Sequence, residues 1–173
     1  MKKRRFFALF LVLGLLVSLL SVPASAFEEI DVDARAALLV EKETGEILYE
    51  KNAHEKSYPA SITKLTVALL VFEAIDAGQL SLDQPITAHE SAFEGLSIYG
   101  STAGIKVGEV LTVEQLLQCM LIVSANEACN ILAEAVCGEG NISQFVQRMN
   151  ERAAALGCEN THYVNTSGLH DPD

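Results

Sequence analysis

The chain has 173 residues and a formal net charge of −11, because 12 Lys and Arg stand against 23 Asp and Glu. Such an acidic balance excludes the basic surface that nucleic-acid binding requires, and it disfavours direct adhesion to anionic lipid. The length is sufficient for one domain with a substantial core.

The first 26 residues have the three-part layout of a secretory signal peptide. A basic stretch, residues 1–5, precedes an apolar run over residues 6–20, and small residues follow over 22–26. We therefore predict export to the cell envelope and cleavage after Ala26. The apolar run is too short to favour a permanent transmembrane helix, which needs about 20 residues. Without this leader, 147 residues remain, with 8 basic and 23 acidic residues and a charge of −15.

The N-terminal half contains a predicted hairpin followed by a predicted helix. Two short runs with strand propensity, residues 36–40 and 46–50, flank a turn that contains Gly45. A helix is expected from Pro59, which suits a first turn, to about Ala77, with Gly78 as its stop. Its three- and four-residue spacing predicts an inward apolar stripe of Leu65, Ala68, Leu69, Phe72 and Ile75. Residues 79–110 are rich in turn-forming residues and predict no regular element.

Three further helices are predicted after this segment. Thr112 and Gln115 form a capping box that opens a helix through about Val123. A third helix is expected over residues 127–136, ended by Gly138. A fourth is capped by Asn141 and ended by Gly157, with an inward face of Phe145, Met149 and Leu156. The rest of the chain reads as loop or short strand, so a helical cluster accompanies a lone hairpin that would be marginal without further strands.

Four cysteines follow the leader: Cys119, Cys129, Cys137 and Cys158. Export permits disulfides, but three of the four lie in apolar helical stretches, where a free cysteine behaves as a small hydrophobic residue. We therefore expect buried thiols, and among the possible bridges we favour Cys137–Cys158. The cysteine spacing does not suggest zinc, and neither His54-Glu55 nor His89-Glu90 has the second His of a metalloprotease helix. We expect no metal and no other cofactor.

Ser61 and Lys64 stand three residues apart at the start of the first predicted helix. Residues at this spacing share a helix face, so the amine can reach the hydroxyl. A serine hydroxyl becomes a useful nucleophile when an adjacent base takes its proton, and a lysine can be that base when burial lowers its pKa. The pair predicts acyl transfer through a serine ester. The alternative is a Ser near a helix start followed by a solvated Lys.

A second polar group, Ser124-Ala-Asn126, interrupts two apolar helices. Such a junction exposes a hydroxyl and an amide at the rim of a helical core. The functional interpretation has Ser124 relaying a proton and Asn126 binding a substrate amide. The structural interpretation is a helix cap, for which Ser and Asn are both preferred residues.

Together these motifs resemble those of the penicillin-recognising serine enzymes. The matching stretches are Pro59-Ala-Ser-Ile-Thr-Lys64 and Leu121-Ile-Val-Ser-Ala-Asn-Glu-Ala128. More narrowly, the chain is similar to the low-molecular-mass penicillin-binding proteins, the serine D-alanyl-D-alanine carboxypeptidases. Stretches in that family's style also occur at residues 37–41, 44–45, 108–114 and 165–169, so the resemblance covers nearly all of the exported part in order.

The resemblance implies a role for each motif residue. Ser61 would be the acylated nucleophile, Lys64 its base, and Ser124 the group that passes a proton to the departing D-alanine. Asn126 would hold the peptide amide of the substrate and keep Lys64 oriented. The Ser61 backbone N–H, near a helix N-terminus, would donate to the oxyanion. The implied partners are peptidoglycan stem peptides ending in D-Ala-D-Ala, and β-lactams, which mimic that dipeptide; the implied biology is cell-wall maintenance and cell shape.

The family's third motif, Lys-Thr-Gly on a strand that lines the cleft, is missing. Lys42 and Gly45 bracket a similar string, but it contains an inserted Glu and lies in the hairpin turn. We therefore expect the N-terminal part, residues 27–173, of a truncated catalytic domain that hydrolyses little or no substrate alone. The expected fold is α+β, of the serine β-lactamase and DD-peptidase type, with a helical cluster against an antiparallel sheet that truncation leaves incomplete. The missing part would also hold the family's C-terminal membrane-anchoring segment.

Three alternatives stay open. A class A β-lactamase resembles the chain in the first motif but has Ser-Asp-Asn in the second, and its loop glutamate is followed four residues later by Asn. Glu159 lies at about the right distance, yet Tyr163 occupies the later position. A non-catalytic, exported peptidoglycan-binding module would not need a Ser–Lys pair. A structural surface protein would be insensitive to replacement of Ser61, Lys64 or Asn126.

Overall fold

A computed structural model describes residues 31–170. The predicted signal peptide, residues 1–26, lies outside them. The chain divides into two compact units, whose described parts are residues 31–55 and 56–170. The first is the predicted hairpin. Strand β1 (Ala37–Val40) pairs antiparallel with β2 (Ile47–Lys51), and the register shifts between Leu39 and Val40.

Polar contacts hold this first unit together. The Lys51 ammonium donates to the Asp31 carboxylate at 2.9 Å and to the Val32 carbonyl at 2.6 Å. The Arg35 guanidinium pairs with the Glu55 carboxylate. The apolar side chains of both strands remain largely exposed, among them Leu38, Leu39, Val40, Ile47 and Leu48.

The second unit begins with a 3₁₀ turn (Ala60–Thr63) that continues directly into helix α1 (Lys64–Asp76). Two of the five positions in the predicted inward stripe of α1 are wrong, because Leu65 is 60% and Phe72 45% exposed. Ala68 is buried as predicted, and Ile75 packs against the core. The buried face comprises Lys64, Val67, Ala68, Val71 and Ala74. Since α1 is apolar on nearly every side, periodicity could not choose its inward face. The face that packs inward is the one that carries the buried Lys64.

Residues 79–110 contain structure that the sequence did not predict. Strand β3 (Pro85–Thr87) pairs antiparallel with β4 (Val110–Thr112), and a second 3₁₀ turn spans Glu90–Phe93. Each strand has three residues, which is too short for an alternating pattern to stand out from a turn-rich background.

Helices α2 (Val113–Ile122), α3 (Asn126–Cys137) and α4 (Ile142–Ala155) complete the second unit. The predicted capping box is confirmed, since the Thr112 side chain accepts from the Gln115 N–H while the Gln115 side chain accepts from the Thr112 N–H. Asn141 is the N-cap residue of α4, but its side chain makes no capping bond.

Helix α3 is the centre of the core, because residues 126–134 are buried without interruption. α1, α2 and α4 all pack against it. Phe145 and Met149 of α4 point inward as predicted, whereas Leu156 is 54% exposed and Ala153 takes the third inward position. Leu156 lies after the last helical residue, so the helical spacing no longer applies to it.

All four thiols are free, as expected, and the Cys137–Cys158 pairing favoured among the possible bridges is not formed. Only Cys129 is buried, and Cys158 is exposed. In the described part of the chain, no helix is long and apolar enough to cross a membrane.

Candidate active site

Ser61 lies in the 3₁₀ turn that leads into α1, and its side chain is exposed. Ala60 precedes it with a φ of +50°, a left-handed conformation that is uncommon outside glycine. The turn is closed by the Ile62 N–H, which donates to the Pro59 carbonyl at 3.1 Å. This geometry directs a hydroxyl outward at the N-terminal end of a thirteen-residue helix.

Lys64 is the first residue of α1, and only 3% of it is exposed. Its Nζ lies 3.1 Å from the Ser61 Oγ and donates to the Ser167 carbonyl at 3.0 Å. Burial lowers the pKa of the Lys64 amine below its usual 10.5, against a smaller opposing effect of the Cys129 thiol. The solvated lysine of the alternative interpretation is therefore wrong, and a neutral amine is accessible beside the hydroxyl.

Cys129 itself is fully buried on α3, and its thiol donates to the Ala125 carbonyl at 3.3 Å. Burial raises the pKa of this thiol to about 12. The thiol therefore stays neutral over the range in which the nearby amine titrates.

Ser124 lies between α2 and α3 in the chain, and its side chain contacts Ser61. Its hydroxyl donates to the Ser61 Oγ at 2.9 Å, and its own φ is +61°. The N-cap residue of α3 is Ala125, without a side-chain capping bond. The helix-cap interpretation of this motif is therefore wrong. The strained backbone aims the Ser124 hydroxyl at the nucleophile candidate.

Asn126 is the first residue of α3 and is 4% exposed. Its backbone N–H donates to the Ser101 carbonyl at 2.9 Å. Its side-chain amide packs on Gly100, where an added Cβ would lie 2.4 Å from Nδ2. Among the described residues, no hydrogen bond joins this amide to Lys64. The amine is held by Ser61 and Ser167 instead.

The structure adds a segment to which the sequence analysis gave no role, the loop of residues 165–168, called here the 165–168 loop. Its Ser167 carbonyl is the second partner of Lys64. Asn165 with Ser167 and Gly168 shortly after it is a turn signal, but a backbone carbonyl has no sequence signature. Only the fold could show that this carbonyl faces the amine.

The structure also describes Glu159, Tyr163 and Lys42, which the sequence analysis weighed for a β-lactamase or for the third motif. Glu159 is exposed, and Tyr163 bonds to the Thr66 hydroxyl at 2.9 Å and to the Asn150 side chain through its backbone N–H at 2.7 Å. Lys42 lies in the hairpin turn of the first unit. Within residues 31–170, no cluster of His, Cys, Asp and Glu could hold a metal ion.

What the arrangement can do follows from its order. One exposed hydroxyl stands between a buried amine that can accept a proton and a second hydroxyl that can donate one. This is the arrangement of an activated nucleophile.

Comparison with known proteins gives this geometry a family. Residues 23–173 match the family model of D-alanyl-D-alanine carboxypeptidase, peptidase S11. The D-alanyl-D-alanine carboxypeptidase DacF of Bacillus subtilis is 35% identical over 161 residues, which are 88% of this chain and 40% of DacF.

Solved structures agree with the sequence comparison. The D-alanyl-D-alanine carboxypeptidase DacD from Francisella tularensis is 36% identical with a TM-score of 0.77, over 84% of this chain and 34% of that one. Penicillin-binding protein D2 from Listeria monocytogenes, in its ampicillin-bound form, is 31% identical with a TM-score of 0.70, over 84% and 56% respectively.

The predicted fold is thereby confirmed: the chain is α+β, of the DD-peptidase and penicillin-binding-protein type. It spans less than half the length of DacF, the curated relative described above. By the match over residues 23–173, this chain belongs to the D-alanyl-D-alanine carboxypeptidase family.

Proposed function

We propose that the full-length protein is a serine-type D-Ala-D-Ala carboxypeptidase, which removes the terminal D-alanine from peptidoglycan stem peptides through an ester on Ser61. One observation carries the proposal. The Ser61 hydroxyl lies 3.1 Å from the Lys64 amine and 2.9 Å from the Ser124 hydroxyl, and the amine is buried.

In the acylation step, Lys64 acts as the general base. The Ser61 O–H bond breaks, its proton passes to the lone pair of Lys64, and Oγ bonds to the carbonyl carbon of the penultimate D-alanine. When the tetrahedral intermediate collapses, the C–N bond to the terminal D-alanine breaks, that nitrogen takes a proton from the Ser124 hydroxyl, and Ser124 regains a proton from the Lys64 ammonium, which returns to the neutral amine. Water then hydrolyses the ester and restores the Ser61 hydroxyl.

Two further groups support the transition state in this proposal. The first-turn N–H groups of a helix lack intrahelical acceptors, so the Ser61 N–H can donate to the developing oxyanion. Asn126 borders the same junction as Ser124 and carries the amide that would bind the substrate's peptide group. A β-lactam would acylate Ser61 by the same step, as suggested by the ampicillin-bound relative.

The remaining expectations are proposals of the same kind. The protein acts outside the cytoplasm, at the cell envelope, after removal of residues 1–26. A polypeptide of only these 173 residues releases little or no D-alanine, because its sequence has no Lys-Thr-Gly triplet to bind the substrate carboxylate. If a colorimetric assay detects D-alanine release by this purified polypeptide, its expected inactivity is wrong.

Labelling with a fluorescent penicillin tests the central proposal. The protein expressed from its complete gene should form a covalent adduct, located on Ser61 by peptide mass spectrometry. Ser61→Ala should abolish the adduct, whereas Ser143→Ala, an exposed serine of α4, should leave it unchanged. Labelling that survives Ser61→Ala refutes the assignment. Rapid turnover of penicillin indicates a β-lactamase, and binding to cell walls without labelling indicates a binding module.

A further inference from the structure

The 165–168 loop is built around one side chain. The Asn165 Oδ1 accepts the backbone N–H groups of Ser167 at 3.2 Å and Gly168 at 2.7 Å, and Nδ2 donates to the Leu169 carbonyl at 2.8 Å. All three bonds join Asn165 to backbone within four residues. The Asn165 side chain therefore fixes the direction of the peptide groups in the loop.

The same loop is anchored in the core. The Thr166 hydroxyl donates to the Asn130 Oδ1 at 2.6 Å, and the Asn130 amide donates in turn to the Ala92 carbonyl at 2.9 Å. Thr166 is 1% and Ser167 4% exposed. The loop thus has a fixed position relative to α3.

Gly168 brings the loop into contact with the residue before the nucleophile candidate. A Cβ at this position would lie 1.8 Å from the Ala60 carbonyl oxygen and 2.8 Å from the Thr63 Oγ1. Gly168 also has a φ of +77°, which side chains rarely adopt. No residue other than glycine allows this approach.

The contact matters because of what the Ser167 carbonyl can do. A neutral amine has two N–H groups and one lone pair. The carbonyl oxygen can only accept, so the bond at 3.0 Å fixes one N–H of Lys64 on Ser167. The second N–H and the lone pair remain for Ser61, whose Oγ lies 3.1 Å from Nζ, and the lone pair takes the proton when that hydroxyl donates to the neutral amine. An amine released from Ser167 would no longer be held at this distance from the hydroxyl.

We propose that Asn165 and Gly168 are positioning residues for acylation: they hold the Ser167 carbonyl against Lys64 so that the amine stays within proton-transfer distance of the Ser61 hydroxyl. This inference rests on the proposed function, in which Lys64 is the base. The inference adds the 165–168 loop to the two motifs that carry the reacting side chains.

The loop also covers the amine, and this gives a second readout. Burial is the main cause of the lowered pKa of Lys64, and the titratable group that opposes it is Cys129 on α3. A displaced loop admits water to the amine, so the pKa of Lys64 rises toward its usual value. The midpoint of the ascending pH–rate limb then moves to higher pH. A variant that only lowers the folded fraction changes the amplitude and leaves the midpoint in place.

The experiment uses the protein expressed from its complete gene, with Gly168→Ala, Asn165→Ala and Asn165→Asp as variants. Gly157→Ala is the matched control, because Gly157 has a φ of +81° with nothing within 4 Å of an added Cβ. It shares the backbone strain of Gly168→Ala without the clash. Two quantities are measured: the rate of acylation by fluorescent penicillin against pH, and the titration of the labelled Lys64 Cε by NMR, assigned by its loss in Lys64→Met.

We expect Gly168→Ala and Asn165→Ala to acylate about 100-fold more slowly, with the Lys64 midpoint at higher pH. Asn165→Asp keeps the acceptor oxygens and should recover most of the rate, and Gly157→Ala should match the wild type. Thermal unfolding confirms which variants fold; if Gly168→Ala does not, the Asn165 pair decides. Folded variants with unchanged rates, or with lower amplitude and an unmoved midpoint, overturn the inference. If the wild type itself is not labelled, the proposed function fails, while the NMR midpoint still decides the role of the loop.

Discussion

Ser124 has a left-handed backbone, with a φ of +61°, so replacing it by Gly and by Ala separates backbone strain from the role of its hydroxyl. Both substitutions remove the Oγ that donates to Ser61 at 2.9 Å. Only Gly accepts the backbone conformation without strain. We therefore expect the two variants to be equally impaired in acylation and unequal in stability.

The size of the stability difference follows from two opposing effects. A left-handed conformation costs an L residue roughly 1–2 kcal/mol, while the greater freedom of unfolded Gly costs roughly 0.5–1 kcal/mol. Ser124→Gly should therefore be more stable than Ser124→Ala by about 0.5–1 kcal/mol. For a domain of this size the difference corresponds to about 2 °C in Tm. Loss of the proton donor should slow acylation in both by about 100-fold or more.

Thermal unfolding measures the first quantity and fluorescent-penicillin labelling the second. Ser143, exposed near the start of α4, provides the control. There the order should reverse, because Ala is the better helix former. If Ser124→Gly is no more stable than Ser124→Ala, the strain argument is wrong. If either variant acylates at the wild-type rate, Ser124 has no part in the proton transfer.

Three other predictions concern titration, burial and thiol reactivity. Burial lowers the pKa of Lys64, and only the neutral amine is a base. The rate of acylation should therefore rise with pH through a midpoint below 10.5. A flat stopped-flow profile between about pH 6 and about pH 10, the range in which a perturbed lysine titrates, would contradict this. Thr166→Val removes the donor to the buried Asn130 Oδ1 and should cost about 1–3 kcal/mol of unfolding free energy in urea titrations. The exposed thiol of Cys158 should react with a thiol-specific reagent in the folded protein, while that of Cys129, buried with a pKa of about 12, should react only after unfolding.

Local signals were predictable from the sequence wherever the chain specifies them within a few residues. The Thr112 capping box, the hairpin around Gly45 and the glycine stops of the helices depend on neighbouring residues only. The approach of Ser61 and Lys64 also follows from a three-residue helical spacing. Each of these features is a short-range geometric consequence of residue type.

Features that depend on the whole fold were not predictable in this way. The inward face of α1 is decided by tertiary packing around Lys64, not by its apolar pattern, so Leu65 and Phe72 were assigned to the wrong side. The approach of Ser124 to Ser61 joins residues 63 positions apart, and that of Lys64 to Ser167 residues 103 apart. For the first, the family resemblance supplied the expectation. For the second, the partner is a main-chain oxygen, which no residue type announces.

Helix α3 carries Asn126 in its first turn and Asn130 one turn later. The Asn126 side chain packs on Gly100, and the Asn130 Oδ1 accepts a hydrogen bond from the Thr166 hydroxyl. The segments around Gly100 and Thr166, which are distant in sequence, are therefore positioned by the same helix. A substitution that rotates α3 would move both contacts at once. Mutations near Gly100 and near Thr166 should therefore combine non-additively. Natural variation in one of these two segments is then expected to be accompanied by compensating variation in the other.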